Sequence, residues 1–289
     1  MSPTLQGMCW MAMAGFIFAG LNTVLRILSF QLHPFQSQCL RYGCGALVMA
    51  PLILRTGLAS YSPNGLSGQL WRGVVHTAGL TLWFIALPHM TLADMTAISF
   101  TGPIFVMIGA VLFLNEKMVL ARWVSSLIGF AGVLIVVGPK LAGTGGVYSL
   151  VMLGSSPLFA ASFLITKLLT RRDRPEVIVV WQSITVTLFS LPFAIWVWQW
   201  PTVAQWAWFL LSGVLGSAGH YCMTRALKAA DASAVQPIQF INILWSTAMG
   251  FLIFGDLPTQ TTLIGGFVIF VATSWIARRE ARTRQLAVV

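Results

Sequence analysis

Ten apolar stretches follow one another along this chain of 289 residues and leave little sequence for a soluble domain. A helix of roughly 20 apolar residues crosses the ~30 Å hydrocarbon core of a bilayer. Hydrophobic residues make up 57% of the chain and charged residues only 8%, whereas about a quarter of the residues in soluble domains are charged. The sequence therefore predicts an all-α polytopic membrane protein whose ten transmembrane helices cover approximately residues 7–29, 35–55, 71–88, 93–114, 120–138, 147–169, 176–198, 204–227, 233–254 and 260–277.

The stretch from Ala86 to Glu116 returns later in the chain as Ala226 to Asp256. Each copy begins with Ala-Leu and ends with an acidic residue, and the two copies are 140 residues apart (226 − 86 and 256 − 116). The helices on either side also correspond, since Pro34 and Pro175 open helices two and seven at a spacing of 141 (175 − 34). The sequence therefore predicts two five-helix repeats, residues 1–140 and 147–277, followed by a basic cytoplasmic tail over 278–289.

An odd number of helices in each repeat means that the second copy enters the membrane from the opposite side. Inverted repeats of this kind place a substrate site near the bilayer midplane, at the interface between the copies, and rocking about that site gives alternating access. The architecture thus favours a transporter, while a duplication that only builds a scaffold is the simpler alternative.

The positive charge of this chain indicates its orientation in the membrane. With a cytoplasmic N-terminus, only Arg26, Arg41 and Lys140 of the 17 Lys and Arg residues fall on the outer side, which leaves fourteen (17 − 3) inside. By the positive-inside rule both termini are cytoplasmic. The net charge of +10 therefore reflects topology, and we expect membrane lipid but no nucleic acid as a partner.

The N-terminus and the cysteines indicate neither processing nor a metal. The first helix lacks a basic segment and a small-residue cleavage site, so we expect it to be retained. The four cysteines lie in apolar stretches without a Cys-x-x-Cys pair or a nearby pair of histidines, and we interpret them as small packing residues. We expect no cofactor and no metal.

The two copies of the repeated stretch, ending in Leu-Asn-Glu116 and Gly-Asp256 within a ten-helix chain, resemble the EamA-type branch of the drug/metabolite transporter superfamily. Within it, the length and the abundance of Trp and Phe are similar to the bacterial YddG-type aromatic amino acid exporters. The resemblance implies export of amino acids across the bacterial inner membrane by a multi-pass protein. This chain departs from the family pattern at Asp256, where the family usually has Glu, and at Ile243, the counterpart of Pro103.

The distribution of carboxylates limits the charge of the substrate. All seven Asp and Glu residues lie at predicted helix ends or in loops, whereas an exporter of cations is expected to hold a carboxylate in mid-membrane. A cluster of Lys and Arg for a phosphate-bearing substrate is also not evident near the midplane. We therefore expect a substrate without net charge, either a zwitterion with an apolar side chain or an uncharged metabolite.

Polar uncharged residues recur at helical spacing in the repeated stretch. Thr96 and Ser99 share one face of helix four, and Gln236 and Gln239 are their counterparts in helix nine. Hydroxyl and amide groups bind ammonium and carboxylate groups without a full counter-charge, but they also join neighbouring helices, and both interpretations stand. The predicted polar contacts to substrate further include Asn22 and Asn242.

Several aromatic side chains lie too deep in their helices to belong to an interfacial belt. Trp83, Phe163, Tyr221 and Trp245 offer stacking surface for an aromatic substrate, with simple core packing as the equally weighted alternative. His76 is a further substrate-contact candidate, since it and His220 titrate near neutrality and are candidates for proton coupling or for structural hydrogen bonds.

Arg41, about six residues inside helix two, either snorkels to the interface or pairs with a substrate carboxylate. Pro103 and Pro237 each remove a backbone hydrogen bond from helices four and nine and are the predicted gating hinges.

A membrane-embedded enzyme or a channel is the rival class, although no HExxH or Walker motif occurs. We expect a small-molecule substrate and a monomer or weak oligomer.

Overall fold

The computed structural model describes residues 2–29, 31–89, 98–99, 101–117, 119–137, 146–254 and 260–285. Within these ranges the chain forms α-helices joined by short turns and two 3₁₀ segments, Leu58–Tyr61 and Leu87–His89, and contains no β-strand. Numbered in chain order, the helices are α1 (Pro3–Ser29), α2 (Pro34–Thr56), α3 (Leu66–Ala86), α4 (Gly102–Leu114), α5 (Leu120–Val137), α6 (Gly146–Leu169), α7 (Pro175–Trp196), α8 (Val203–Ala229), α9 (Ala232–Gln239), α10 (Asn242–Phe254) and α11 (Gln260–Gln285).

The helices match the apolar stretches of the sequence. Five helical segments in the described part of the chain are long and apolar enough to cross a membrane: Pro3–Ser29, Pro34–Thr56, Leu66–His89, Leu150–Leu169 and Pro175–Trp196. The all-helical membrane fold is confirmed in this form, and the number of ten spans stays a prediction.

Local sequence signals set where several helices begin. Pro34 and Pro175 occupy the first position of α2 and α7, where the missing N–H of proline costs no intrahelical bond. Helix α8 begins with a capping box, in which Thr202 Oγ1 accepts from Gln205 N and Gln205 Oε1 accepts from Thr202 N.

The predicted fourth and ninth helices are interrupted at equivalent positions. Helices α4 (Gly102–Leu114) and α10 (Asn242–Phe254) have the same length and begin 140 residues apart (242 − 102). Before α10 the chain turns at Ile241, whose N–H bonds to Ile238 O at 3.1 Å, and Pro237 lies inside α9 shortly before this turn. Pro103 lies in the first turn of α4, where the missing N–H of proline costs no intrahelical bond, and its role as a hinge stays a prediction.

The main contacts between helices are symmetric: each has an equivalent in which the two halves of the chain have changed places. Helix α1 packs on α8 as α3 packs on α6, and α2 contacts α8 as α3 contacts α7. Helix α2 packs on its own counterpart α7, and α5 packs on α11. Each helix of one half therefore has an equivalent neighbour in the other, and the main packing surface lies between the halves.

The counterpart helices α2 and α7 run in opposite directions. Near the start of α2, Gln36 Nε2 donates to Gln199 O, just beyond the end of α7, at 2.5 Å. At the other end, Trp181 Nε1 in the second turn of α7 donates to Tyr61 O, which follows α2, at 2.8 Å. This antiparallel arrangement is the one that an inverted repeat requires.

A large apolar cluster lies at the end of the bundle where α1 begins and α11 ends. It contains Met8 near the start of α1 and Ile276 late in α11. Residues of α4, α5, α6, α8 and α9 also belong to it, among them Leu114, Leu164 and Val235. Because helices of both halves contribute, the cluster joins the halves at that end, and we refer to it as the terminal-end cluster.

Candidate functional site

A cavity of about 280 Å³ lies between the two halves. Its wall comes from α1, α2, α3, α6 and α8, and from the break between α9 and α10. The residues that line it are Phe18, Leu21, Asn22, Leu25, Arg41, Tyr42, His76, Leu80, Trp83, Phe159, Ser162, Phe163, His220, Met223, Gln239 and Asn242.

The wall is built from equivalent positions of the two repeats. The lining residues of α1 have their counterparts on α6 at a spacing of 141 (159 − 18), and two of α3 have theirs on α8 at 140 (220 − 80). The pairs are Phe18 with Phe159, Leu21 with Ser162, Asn22 with Phe163, Leu80 with His220, and Trp83 with Met223. The backbone positions are therefore symmetric, while most side chains differ, so each half contributes different chemistry to one shared cavity.

A chain of buried hydrogen bonds connects the halves at the cavity wall. Tyr42 Oη lies 2.8 Å from His76 Nε2 and 3.3 Å from His220 Nε2. The other ring nitrogen of His76, Nδ1, lies 3.0 Å from Ser162 Oγ. On the far side, Gln182 Nε2 lies 3.4 Å from His220 Nε2. Since these bonds join α2, α3, α6, α7 and α8, they fix the relative position of five helices.

Arg72 determines the direction of the bonds from Gln182 as far as His76 Nε2. Its guanidinium can only donate, so Gln182 Oε1, 2.6 Å from Arg72 Nη2, accepts, and Gln182 Nε2 donates to His220 Nε2. Tyr42 then donates to the same nitrogen and accepts from His76 Nε2. His220 is therefore neutral in this arrangement, whereas His76 Nδ1 either accepts from Ser162 Oγ or donates to it.

Arg72 itself is buried, although the sequence analysis counted it among the cytoplasmic residues. Only 1% of it is exposed, and its Nη1 donates to Ile178 O at 3.0 Å. Counting basic residues near helix ends cannot distinguish an arginine in the loop from one that points back into the bundle.

Arg41 lines the cavity and is also buried, with 4% of its surface exposed. Its guanidinium carbon lies 4.1 Å from the centre of the Tyr42 ring, a cation–π geometry. The adjacent position on α8 is Gly216, where a Cβ would lie 2.8 Å from Arg41 Nη2. A Cβ at this position would displace the guanidinium. The burial of Arg41 at the cavity wall favours the interpretation that it faces the cavity.

Aromatic rings form much of the remaining wall. Trp83 contacts Phe84 edge to face, with ring centroids 5.1 Å apart. Phe159 packs on the His76 ring at 5.4 Å, and Phe18 on the His220 ring at 5.0 Å. Because a planar ring gains stacking energy against such surfaces, the cavity suits a ligand that contains an aromatic group.

The structure brings six of the predicted contact residues together and places others elsewhere. Those at the cavity are Asn22, His76, Trp83, Phe163, Gln239 and Asn242. Gln236 is fully buried behind the wall, where its Oε1 accepts from Gln239 Nε2 at 2.9 Å. Ser99 is half-buried outside the lining, and Thr96 lies outside the described residues.

Two predicted aromatic contacts also lie away from the cavity. Trp245 packs edge to face on Phe16, with centroids 5.4 Å apart. The hydroxyl of Tyr221 donates to Glu176 at 3.3 Å and accepts from Arg225 at 3.0 Å. Both partners line a second cavity of about 330 Å³ near the ends of α1, α7 and α8. Within the part of the chain that the structure describes, no group of His, Cys, Asp and Glu could hold a metal ion.

Among the lining residues that sequence reasoning missed are Tyr42, Met223 and two repeat pairs, Phe18 with Phe159 and Leu21 with Ser162. A signal was present for Met223, because it is the repeat counterpart of the predicted contact residue Trp83. Transferring each candidate to the other repeat would have pointed to its position. Tyr42 carries no such signal, since its counterpart Ser183 is not among the lining residues.

Comparison with known proteins gives a consistent result over nearly the whole chain. The profile of the EamA-like transporter family matches residues 5–138 and 147–278. A riboflavin transporter of Rhizobium johnstonii is 35% identical, with 97% of this chain and 94% of that protein covered. A riboflavin transporter of Vibrio cholerae is 31% identical, with 98% of each chain covered.

More distant relatives extend the range of substrates. An S-adenosylmethionine uptake transporter of Rickettsia prowazekii is 26% identical over 96% of this chain and 95% of its own. A solved structure superposes with a TM-score of 0.76 over 96% of this chain and 98% of the other, at 16% identity, which shows the shared fold alone. These relatives are named for riboflavin and S-adenosylmethionine, not for the aromatic amino acids that the sequence analysis expected.

Proposed function

Because the chain belongs to the EamA-like transporter family, we propose that it is a secondary transporter that carries a small metabolite with an aromatic ring through the cavity by alternating access. The observation that carries the proposal is the position of the cavity. Its walls on α1 and α6, and on α3 and α8, are repeat counterparts, so the cavity lies where rocking of the halves would expose it to either side in turn.

The proposed topology is ten spans in two inverted five-helix repeats, with both termini in the cytoplasm of a bacterium and the protein in its inner membrane. The symmetric helix pairings and the antiparallel course of α2 and α7 support it. With this orientation the terminal-end cluster is the closed cytoplasmic gate, and substrate enters the cavity from the outer side.

The breaks before α4 and α10 are the proposed moving parts. They occur at equivalent positions of the two repeats, 140 residues apart. A helix that is already interrupted can change the angle between its two segments without breaking further backbone hydrogen bonds. We propose that each break opens one gate while the other stays closed.

Riboflavin is the substrate to test first, since two relatives above 30% identity over almost the whole chain are named as riboflavin transporters. Its planar ring system would lie against Trp83 and Phe163, while its polar groups would meet the amides of Asn22, Gln239 and Asn242. Aromatic amino acids are the second candidate, which the same aromatic wall favours.

The test is counterflow of labelled riboflavin, and of labelled tryptophan in parallel, into liposomes that contain the purified full-length protein. A carrier gives saturable uptake that internal unlabelled substrate accelerates, whereas a channel gives no such exchange. Trp83→Ala should raise KM by about 3- to 10-fold through lost stacking. Trp196→Ala is the matched control, because Trp196 is 82% exposed on the outside of the bundle. The absence of counterflow for both compounds would contradict the proposal.

A further inference from the structure

The interior of the bundle holds two arginines without a described acidic partner. Arg41 and Arg72 are 4% and 1% exposed. Each carboxylate whose side chain the structure describes bonds elsewhere: Glu116 to the start of α9, Asp173 to Asn64 and Gln69, Glu176 to Tyr221, and Asp231 to Arg122. A charge that is removed from water without a partner is costly. The positive charge at the cavity would therefore be stabilised by a negatively charged group of a ligand.

The two arginines differ in where their donors lie. Arg72 donates to Ile178 O and to Gln182 Oε1, which occupies both of its terminal nitrogens. The Nε of each arginine is buried and has no hydrogen-bond partner among the described residues. Arg41 also lines the cavity, whereas Arg72 does not. Arg41 is therefore the cation that a ligand in the cavity can reach.

The surroundings of Arg41 hold its guanidinium ready for an acidic group. The guanidinium carbon lies 4.1 Å from the centre of the Tyr42 ring, which holds the charged group at the cavity wall that both residues line. On α8, Gly216 has no side chain and leaves room for the Arg41 guanidinium. A planar array of N–H donors binds a carboxylate or a phosphate with two parallel hydrogen bonds, which are stronger in a site of low dielectric constant.

Only the first of the two repeats has an arginine at this position. The counterpart of Arg41 is Gln182 (182 − 41 = 141), a neutral residue already bonded to Arg72. The cavity thus has one positive side, at Arg41, and an aromatic side, at Trp83 and Phe163.

We infer that Arg41 binds an acidic group of the substrate, so that the transported molecule carries a carboxylate or a phosphate in addition to its aromatic ring. The inference rests on the proposed transport function and names its substrate class. It narrows the expectation of a substrate without net charge, because a zwitterion carries a carboxylate and an uncharged metabolite does not. It also predicts that, among molecules with the same ring, the one with an acidic group binds more tightly.

Two matched pairs of ligands test the inference in the purified full-length protein. Riboflavin against flavin mononucleotide adds a phosphate to one ring system, and tryptophanamide against tryptophan adds a carboxylate to another. Binding to the protein in detergent is measured by flavin fluorescence for the first pair and by calorimetry for the second. At least one acidic member should bind about 10-fold or more tightly than its neutral partner, and which pair responds distinguishes phosphate from carboxylate.

Variants of Arg41 assign the preference to this side chain. Arg41→Gln introduces the side chain of its repeat counterpart and should reduce the preference to within about 2-fold, while Arg41→Lys should retain part of it. Arg55→Gln, at the exposed end of the same helix, should leave the preference unchanged. If Arg41→Gln does not fold, Gly216→Ala displaces the guanidinium without removing its charge and should also lower the preference.

The outcomes separate this inference from the proposed function. Equal affinity for both members of both pairs in the wild type, or a preference that persists in Arg41→Gln, would overturn the role of Arg41 while leaving transport of ring compounds intact. Failure of the wild type to bind or transport any of the four ligands would overturn the proposed function and the inference with it.

Discussion

Glu116, from the first half of the chain, caps the helix that begins near Ser233 in the second half. Its Oε2 accepts from Ser233 Oγ at 2.6 Å and from Ser233 N at 3.1 Å, and its Oε1 accepts from Ala232 N at 2.8 Å. A carboxylate at a helix N-terminus satisfies free backbone N–H groups and interacts favourably with the helix dipole. The acidic end of the repeated motif thus joins the two halves beside the terminal-end cluster.

Replacing Glu116 by Gln should weaken this junction. The neutral amide loses the charge-assisted bonds to α9 and retains only ordinary ones, so we expect a loss of about 1 kcal/mol, in the range of other helix caps. Thermal unfolding of the protein in detergent measures it. A double-mutant cycle with Ser233→Ala isolates the bond to Ser233 Oγ. An unchanged melting temperature in Glu116→Gln would show that the cap contributes nothing to stability.

Tyr42→Phe should destabilise the protein by removing one hydroxyl. The variant leaves the N–H at His76 Nε2 without its acceptor in a buried position, and an unsatisfied buried group costs about 1–3 kcal/mol. Tyr148→Phe is the matched control, because Tyr148 is half-exposed and stacks on His89 through its ring. Equal melting temperatures for the two variants would contradict the hydrogen-bond chain as a structural element.

Much of the fold could be predicted from the sequence because long apolar stretches allow few alternatives in a membrane. The repeat spacing of 140 residues even anticipated the equal lengths of α4 and α10. The site was less predictable, because a helix inside a bilayer is apolar toward both lipid and protein, so periodicity does not fix its rotation. Tyr221 and Trp245, both predicted contact residues, pack against other neighbours, Glu176 and Phe16.

The buried charges could not be predicted for a related reason. A positive-inside count assigns an arginine by its position along the chain, and Arg72 lies only about two turns from the start of α3. Its burial depends on acceptors on α7, Ile178 O and the Gln182 side chain, and only the three-dimensional packing brings those close. Likewise, the burial of Arg41 depends on the packing of α2 against α8, where its guanidinium lies next to Gly216.

Two glycine substitutions should have opposite effects on stability. At Gly213 a Cβ would lie 2.7 Å from the backbone carbon of Cys44 and 2.8 Å from Gly45 N, so Gly213→Ala forces α2 and α8 apart and should lower stability by about 1–3 kcal/mol. At Gly20, within α1, nothing lies within 4 Å, and Gly20→Ala should gain up to about 1 kcal/mol from helix propensity. Melting temperatures in detergent compare them, and a stable Gly213→Ala variant would refute the close approach of the two helices.

Pro237→Ala should slow transport more than it affects stability. The variant restores an N–H that can bond to Ser233 O, and it removes the ring that disfavours a continuous helix through this region. If the interruption between α9 and α10 has to change angle during each cycle, a stiffer connection lowers the rate of counterflow several-fold while the binding affinity stays close to that of the wild type. Pro192→Ala is the control, since Pro192 lies inside α7 on an exposed face and should leave the rate unchanged. A Pro237→Ala protein with wild-type turnover would show that the break does not act as a hinge.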